Sequence, residues 1–146
     1  MTTNSPGSSA REIHGLQAEH TLRFTVNFND AGVSAGVPKQ TLPAGAIITG
    51  TDVFVQTPFN AGTTNVLTAG INAAAFNNLV AAADVDETTA ALTQNVKPTG
   101  TALGPLSADV QVFALYTQTG TAASAGRAHV IVKYVPNNDP NLWSGG

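Results

Sequence analysis

DVQVFALYTQTGTAASAGRAHVIVKYV, residues 109–135, contains two runs of alternating apolar and polar residues joined by a segment rich in Gly, Ser and Ala. Two such runs on either side of a turn predict a β-hairpin. Alternate residues of each run place apolar side chains on one face of a strand. These residues are Val110, Val112, Ala114 and Tyr116 in the first run and Ala128, Val130, Val132 and Tyr134 in the second. Both runs therefore face one core, which requires a second layer of structure.

The opposite faces of the same two runs carry both charged and apolar residues. Arg127 and His129 suit contact with water, whereas Phe113, Leu115 and Ile131 are large apolar side chains on the side away from the core. Exposed apolar patches of this kind mark interaction surfaces. The sequence thus predicts a self-association face formed by Phe113, Leu115 and Ile131, and a homo-oligomer, either a dimer or a trimer.

The composition indicates one domain with a sizeable core. The chain has 146 residues, of which 42% are hydrophobic, and this length suits one ordinary domain but not two. Only 10% of the residues are charged, against about 25% in soluble domains. A surface so poor in charge is weakly protected against association, which favours a protein that binds other proteins.

The charge and the apolar pattern argue against two classes of partner. Six basic and nine acidic residues give a formal net charge of −3, with no cluster of Lys or Arg, so binding to nucleic acid through phosphates is not expected. No apolar run reaches the length of a membrane span, and the first residues lack the pattern of a secretory signal. We therefore expect a protein made in the cytoplasm, with no membrane partner. The chain has no cysteine, which excludes disulfides and thiolate metal sites.

Further short strands are predicted before residue 109. Residues 21–28 alternate cleanly and form the first core strand. Residues 33–42 are interrupted by Gly36 and Pro38, which suits only a short edge strand or an irregular crossing, and residues 90–96 form a shorter strand.

The longest predicted strand, residues 46–56, is apolar on both faces, so we expect it in the centre of its sheet. Its alternation places Ile47 on the face of Val53 and Val55, and Ile48 on the face of Phe54. After a turn, residues 65–71 return as a strand and complete a second hairpin. Residues 72–83 are rich in alanine, and their apolar residues are spaced for one face of a short helix that caps one end of the fold.

This succession of short strands and turns predicts an all-β fold, an antiparallel β-sandwich of jelly-roll or Greek-key type with one short helix and extended terminal arms. Residues 1–20 are expected to form an N-terminal arm, residues 21–135 the sandwich domain and residues 136–146 a C-terminal tail.

Residues with catalytic chemistry are present, but no spacing brings them together. Ser124 and His129 lie in one predicted hairpin, yet Ser124 sits in a turn of small residues where serine is expected for its local hydrogen bonds, and no G-x-S-x-G motif occurs. Asp52 and Asp109 supply two carboxylates without any pattern that sets the separation a glycosidase needs. We therefore expect no enzymatic activity, no catalytic residue and no cofactor.

Asp84, Asp86 and Glu87 place three carboxylates close together in the sequence. Oxygen ligands of this kind suit a calcium ion, but the spacing of an EF-hand loop is absent. An acidic run that faces water is the better interpretation. No metal site is predicted, and whether these three residues bind a cation stays open.

Two stretches share a pattern of turns and strands. Residues 41–70, TLPAGAIITGTDVFVQTPFNAGTTNVLTAG, contain a strand after a PAG turn and then an FNAGT turn. Residues 114–135, ALYTQTGTAASAGRAHVIVKYV, contain a T-G-T-A-x-x-A-G turn before a final strand. With TVNFNDAG at residues 25–32, the pattern covers most of residues 21–135 and resembles the jelly-roll decoration, or cement, proteins of tailed-bacteriophage heads.

The resemblance implies a structural virion protein on the outer surface of a phage capsid. Its partner would be the phage major capsid protein, and it would stabilise contacts between neighbouring copies of that protein. Arms that gain structure on docking suit this role, because they cover a large area from a small body. The expected capsid-contact residues of the arms are Ile13, Leu16, Leu142 and Trp143.

The alternative is a carbohydrate- or receptor-binding jelly-roll module of a phage fibre or a cell surface. Tyr116, Tyr134 and Trp143 have the rings that stack on sugars. A sugar platform needs several aromatic residues on one face, however, and only 6% of this chain is aromatic. We therefore expect the two tyrosines to close the core and Trp143 to anchor the tail.

Overall fold

Two antiparallel β-sheets packed face to face make up the protein over residues 19–136, the part of the chain that this computed structural model describes. The strands in chain order are β1 (His20–Asn27), β2 (Val37–Leu42), β3 (Ile47–Thr57), β4 (Thr64–Gly70), β5 (Leu92–Val96), β6 (Val110–Thr119) and β7 (Arg127–Val135). One sheet has four strands in the order β1-β7-β3-β5, and the other has three in the order β2-β6-β4. This architecture confirms the predicted all-β sandwich. No helix within these residues is long and apolar enough to cross a membrane.

The core lies between the inner faces of the two sheets. The alternation predicted for β6 and β7 is confirmed, because their inner residues are buried. The largest fully buried side chains are those of Tyr116, Phe59, Leu42, Leu67, Leu79, Val26, Val53, Val55, Val80, Val112, Val130 and Val132. Burying a large apolar side chain contributes about 1.5–3 kcal/mol, so these inner faces supply much of the driving force for folding.

Four strand predictions made from the sequence are confirmed. β1 and β5 lie where the alternating patterns place them. β2 is an edge strand, and its pairing with β6 is irregular between Pro38 and Gln40. β3 lies inside its sheet, between β7 and β5. Proline therefore sits on an edge strand, where its missing N–H breaks no continuous ladder.

The two predicted hairpins are wrong. β6 pairs with β2 and β4, whereas β7 pairs with β1 and β3, so residues 120–126 cross from one sheet to the other. Likewise, β3 and β4 belong to different sheets, and residues 58–63 cross between them. Alternation along a strand predicts which side chains face the core. A neighbour in the same sheet and a neighbour in the facing sheet satisfy that alternation equally well.

The two crossing loops lie side by side and are joined by Asn60. Its side-chain oxygen accepts the backbone N–H of Ser124 at 2.8 Å and that of Ala125 at 2.9 Å. Gly126, with φ +151°, lies against the ring of Phe59, which a Cβ at this position would overlap. Only glycine permits that approach. These contacts hold residues 120–126 as a crossing loop.

The faces predicted for Ile47 and Ile48 are exchanged in the structure. Ile48 is buried with Val53 and Val55, whereas Ile47 points outward, as Phe54 does. The pairing of β3 with β7 shifts register just after Ile48. A β-bulge adds one residue to a strand and so reverses the alternation beyond it.

The predicted helix at residues 72–83 does not form. The side-chain oxygen of Asn72 accepts the backbone N–H groups of Asn77 and Asn78, and the side-chain oxygen of Asn78 accepts the N–H of Ile71 at 2.8 Å. Asparagine side chains that bond the backbone in this way compete with helix formation. The fold has instead a short 3-10 helix at Gly100–Leu103.

The segment after β4 protects an edge of the three-stranded sheet. Ala74 and Phe76 adopt positive φ values of 70° and 44°, which bend the chain back. Ala69 and Val80 then exchange backbone hydrogen bonds of 3.1 and 2.9 Å along the free edge of β4. The backbone groups of Ala69 are therefore not available for pairing with another strand.

Candidate functional site

Both ends of the described chain lie at the same end of the sandwich. His20 at the start of β1 pairs with Tyr134 in β7, and Val135 at the close of β7 pairs with Ile47 at the start of β3. We call this the Ile47 end. We call the opposite end, where the two crossing loops meet, the Asn60 end. The chain therefore enters and leaves the sandwich at the Ile47 end.

Two large apolar side chains are exposed at the Ile47 end. The side chain of Ile47 is 46% exposed and that of Leu103, in the 3-10 helix, is 61% exposed. Gly104, next to Leu103 in the chain, packs closely against β3, and a Cβ on Gly104 would lie 3.4 Å from the Cα of Ile47. The two side chains thus belong to one region of the surface. Exposed apolar groups that lie together mark a contact site.

The loop that carries Leu103 is attached to the sandwich on both sides of that residue. Ala102 and Leu106 are buried. The N–H of Leu106 donates to the carbonyl of Ala46 at 3.1 Å, and the N–H of Gly45 donates to the carbonyl of Leu106 at 2.6 Å. Because its neighbours occupy the core, the side chain of Leu103 is held toward solvent.

An open groove of about 570 Å³ lies beside this loop. Its lining includes Ile71 and Asn72 after β4, Thr101 and Leu106 in and after the 3-10 helix, and Val110 of β6. None of the residues that line the groove is charged. A lining of apolar and neutral polar groups suits an uncharged segment of a partner better than an ion.

The Asn60 end is polar by contrast. Residues 58–63 and 120–126 expose no large apolar side chain. Their polar groups bond largely to one another, as in the hydrogen bond from the Asn60 side-chain nitrogen to the Ser124 hydroxyl at 3.0 Å. This end offers less apolar area for a partner to cover than the Ile47 end does.

A second exposed apolar pair lies on the outer face of the four-stranded sheet. Phe54 is 41% exposed, and its direct neighbour on β5, Leu92, is 54% exposed. On the other side, the ring of Phe54 stacks on His129 with the centroids 6.2 Å apart. Burial lowers the pKa of His129, and the positive charges of Arg23 and Arg127 lower it further. The ring of His129 thus lies on one side of Phe54, and Leu92 lies on the other.

The three residues predicted as one self-association face do not lie together. Phe113 and Leu115 are on the outer face of the three-stranded sheet, whereas Ile131 is on the outer face of the four-stranded sheet. Phe113 is also covered by the chain itself, because the ring of Phe76 stacks on it with the centroids 4.4 Å apart. The separation follows from the crossing at residues 120–126, which places β6 and β7 in different sheets.

The capsid-contact residues predicted for the arms lie outside the described part of the chain. They are Ile13, Leu16, Leu142 and Trp143. β1 begins at His20, which is the last residue of the predicted N-terminal arm.

The three clustered carboxylates have separate roles. Asp84 and Asp86 are exposed and accept hydrogen bonds within their own turns. Glu87 is buried and accepts the N–H of Leu67 at 2.7 Å. Burial raises the pKa of Glu87, although the Leu67 N–H opposes the shift. The prediction of an acidic run that faces water is therefore wrong for Glu87. Within residues 19–136, no group of three or more His, Asp or Glu is arranged to hold a metal ion.

Tyr116 and Tyr134 are buried on the inner faces of the sheets. The ring of Tyr116 packs against Phe59 with the centroids 4.6 Å apart, and its hydroxyl donates to the side-chain oxygen of Asn65 at 2.6 Å. Both tyrosines close the core, as expected, and neither can stack on a sugar.

The catalytic pairs considered from the sequence are engaged elsewhere. Ser124 bonds within the crossing loops, whereas His129 bonds Thr25 at 3.0 Å across the sheet. Asp52 forms an ion pair of 3.3 Å with a lysine of β7, and Asp109 accepts a backbone N–H from the loop before β3 at 2.8 Å. Each of these four side chains therefore has a structural role in the fold.

Comparison with known proteins finds similarity in structure only. No protein-family model matches the chain, and no curated protein matches it in sequence. Three solved structures of phage capsids contain similar chains. A chain of the cyanophage Pam1 capsid asymmetric unit has a TM-score of 0.55 at 17% identity, with 83% of this chain and 86% of that chain covered.

The other two similar chains have comparable scores. One, from the acid-stable capsid of Helicobacter pylori bacteriophage KHP30, has a TM-score of 0.53 at 16% identity and covers 81% of this chain and 88% of that chain. The other, from the capsid of Ralstonia phage GP4, has a TM-score of 0.52 at 17% identity. This match covers 84% of this chain and 86% of that chain. At these identities the likeness shows a shared β-sandwich fold.

Proposed function

We propose that this protein is a structural component of a bacteriophage virion, a decoration or cement protein that binds the outer surface of the head. There it stabilises contacts between major capsid proteins and has no enzymatic activity. The observation that carries the proposal is the structural match of 81–84% of this chain to chains in three phage capsids. In each match the covered shares of the two chains are nearly equal, so those chains are about as long as this one.

The surface chemistry supports a role in protein contact. The chain is poor in charge, so bringing its surface against another protein removes few charged groups from water. Ile47 and Leu103, two large apolar side chains that are exposed in the described part of the chain, lie at the Ile47 end. The groups with catalytic chemistry are instead engaged in structural hydrogen bonds and ion pairs.

The terminal arms are the proposed attachment segments. Ile13 and Leu16 on the N-terminal side, and Leu142 and Trp143 on the C-terminal side, are apolar residues that precede and follow residues 19–136 in the sequence. Apolar side chains on segments of this length can cover a large area of a partner surface. We propose that they contact the capsid subunits. Self-association into a dimer or trimer remains part of the proposal, to be tested by light scattering of the purified protein.

Co-sedimentation with capsid shells tests the proposed function. Empty shells assembled from the major capsid protein encoded in the same genome are mixed with increasing amounts of the full chain and pelleted. We expect saturable binding at a fixed ratio to the shell subunit. Protein that stays in the supernatant at every concentration would contradict the proposal. Reproducible binding to a glycan array instead would favour a carbohydrate-binding module.

A chain that lacks residues 1–18 tests the role of the N-terminal arm in the same assay. This deletion leaves β1 intact, because the strand begins at His20. We expect the shortened protein to keep the cooperative unfolding of the full chain and to lose attachment to the shells. Attachment at the level of the full chain would show that the N-terminal arm is not an anchor.

A further inference from the structure

We infer that the Ile47 end of the sandwich faces the capsid shell, with Ile47 and Leu103 as its apolar contact residues. The inference rests on the proposed function and adds to it an orientation and a contact surface on the folded body. The partner surface is an apolar area on the outside of the major capsid protein. The opposite Asn60 end then points away from the shell.

The positions of the chain ends supply the first argument. Residues 1–18 and 137–146 are joined to the sandwich at the Ile47 end, since His20 and Val135 both lie there. The residues proposed to contact the shell are therefore tethered to this end. The length of each terminal segment limits how far its contact residues can lie from the Ile47 end.

The length of the C-terminal segment, compared with the length of the sandwich, decides which end of the sandwich can face the shell. Trp143 is separated from Pro136 by a segment that spans at most about 25 Å when fully extended. β3 has 11 residues and is about 35 Å long at roughly 3.3 Å per residue. With the Asn60 end on the shell, Trp143 cannot reach past the sandwich to the shell surface. With the Ile47 end on the shell, residues 1–18 and residues 137–146 are both long enough to reach the shell surface.

The surface of the Ile47 end supplies an independent argument. Ile47 and Leu103 are exposed there by 46% and 61%, and the loop that carries Leu103 is anchored by buried Ala102 and Leu106. A side chain held outward loses little freedom when a partner covers it, so its burial contributes more to binding. The uncharged groove of about 570 Å³ beside the loop adds a recess that fits a protruding uncharged segment of the partner.

Charge substitutions at the two apolar sites of the sandwich test the orientation. Leu103→Asp and Ile47→Asp alter the Ile47 end, and Leu92→Asp is the matched control on the outer face of the four-stranded sheet. All three residues are exposed, so the fold should tolerate the changes, and thermal unfolding of each variant checks this. A second pair, Leu103→Ala and Leu92→Ala, removes the apolar contact without adding charge.

The readout is the affinity of the full-length variants for empty shells, measured by co-sedimentation. We expect Leu103→Asp to bind about thirtyfold more weakly than the unchanged protein, the loss typical of a central contact residue, and Leu92→Asp to bind equally well. Unchanged binding of both Leu103→Asp and Ile47→Asp would overturn the orientation, as would a selective loss with Leu92→Asp. In either case the unchanged protein still binds, so the proposed function stands. Failure of the unchanged protein to bind overturns the function itself and the orientation with it.

Discussion

Thr51 places a hydroxyl group in the core where an apolar group would fit. The residue is fully buried on the inner face of β3, and its hydroxyl oxygen has no hydrogen-bond partner within residues 19–136. A buried polar group without a partner costs free energy, because its hydrogen bonds to water are lost and not replaced.

We therefore expect Thr51→Val, which keeps the shape of the side chain, to raise the free energy of unfolding by about 1 kcal/mol. Thr25→Val is the matched control, since the Thr25 hydroxyl bonds His129 at 3.0 Å, and this change should not stabilise the protein. Urea unfolding of the three proteins measures both effects. A Thr51→Val protein no more stable than the unchanged one would mean that the hydroxyl is satisfied.

Glu87 predicts a dependence of stability on pH. Because burial raises its pKa, the folded protein holds the proton at higher pH than the unfolded chain does. The contribution of Glu87 to stability is then greatest below the unfolded pKa of about 4.3, and it is lost as the pH rises through the folded pKa. Asp30 has the opposite effect on the pH dependence of stability, because its pKa is lowered in the folded protein. Burial raises the pKa of Asp30, but hydrogen bonds from Asn27 and Lys39 outweigh that effect.

Comparison with Glu87→Gln isolates this one group from the other carboxylates. Glutamine does not titrate, so the stability of the variant relative to the unchanged protein should improve between about pH 4 and pH 7. Urea unfolding at both pH values measures the difference. An equal difference at the two values would show that Glu87 has the same pKa in the folded and unfolded chains.

The sequence predicts one acidic run that faces water at residues 84–87, although an apolar residue lies within it. Val85 and Glu87 are both buried, while Asp84 and Asp86 are exposed. The apolar Val85 within the run is the local signal that this segment turns one side toward the core. What no pattern could supply is the partner of Glu87, because the N–H of Leu67 belongs to a strand distant in sequence.

Among the elements, the crossing loops hold the fold in its two-sheet form. Asn60 joins residues 58–63 to residues 120–126 by accepting two backbone N–H groups. We expect Asn60→Ala to lower the free energy of unfolding by about 1 kcal/mol and to speed hydrogen exchange of the Ser124 and Ala125 amides.

The control for this change is Asn29→Ala, which removes an exposed asparagine side chain from the turn after β1. Its effect on the exchange of Ser124 and Ala125 should be negligible. Native-state hydrogen exchange followed by NMR measures both variants. Equal protection of the two amides in Asn60→Ala and in the unchanged protein would show that Asn60 does not hold the loops together.

Strand positions could be predicted from the sequence, but strand partners could not. The alternation in β1, β6 and β7 correctly identifies the buried side chains. Which strand lies beside which depends on whether a loop turns within a sheet or crosses between sheets, and this is decided by contacts such as those of Asn60 with a distant loop. The spacing of apolar residues in 72–83 likewise predicted a helix, because it ignores the competing bonds of Asn72 and Asn78.

For the whole molecule, the sequence indicated the class of fold, but not which large apolar side chains would be exposed. Leu103 was not identified, although a large apolar residue within G-T-A-L-G-P is unusual for a turn-rich loop. Ile47 was placed on the face of Val53 and Val55 because a β-bulge cannot be read from the alternation around it. Their proximity depends on the packing of the Leu103 loop against β3, which is a property of the folded chain alone.

Electron cryomicroscopy of shells saturated with the full chain examines the capsid role and the orientation together. The proposal predicts sandwich-shaped density on the outer surface of the shell, with the loop of Leu103 toward the shell and the loop of Asn60 toward solvent. Shells incubated with saturating protein that show no added density, or density only on the inner surface, would contradict it.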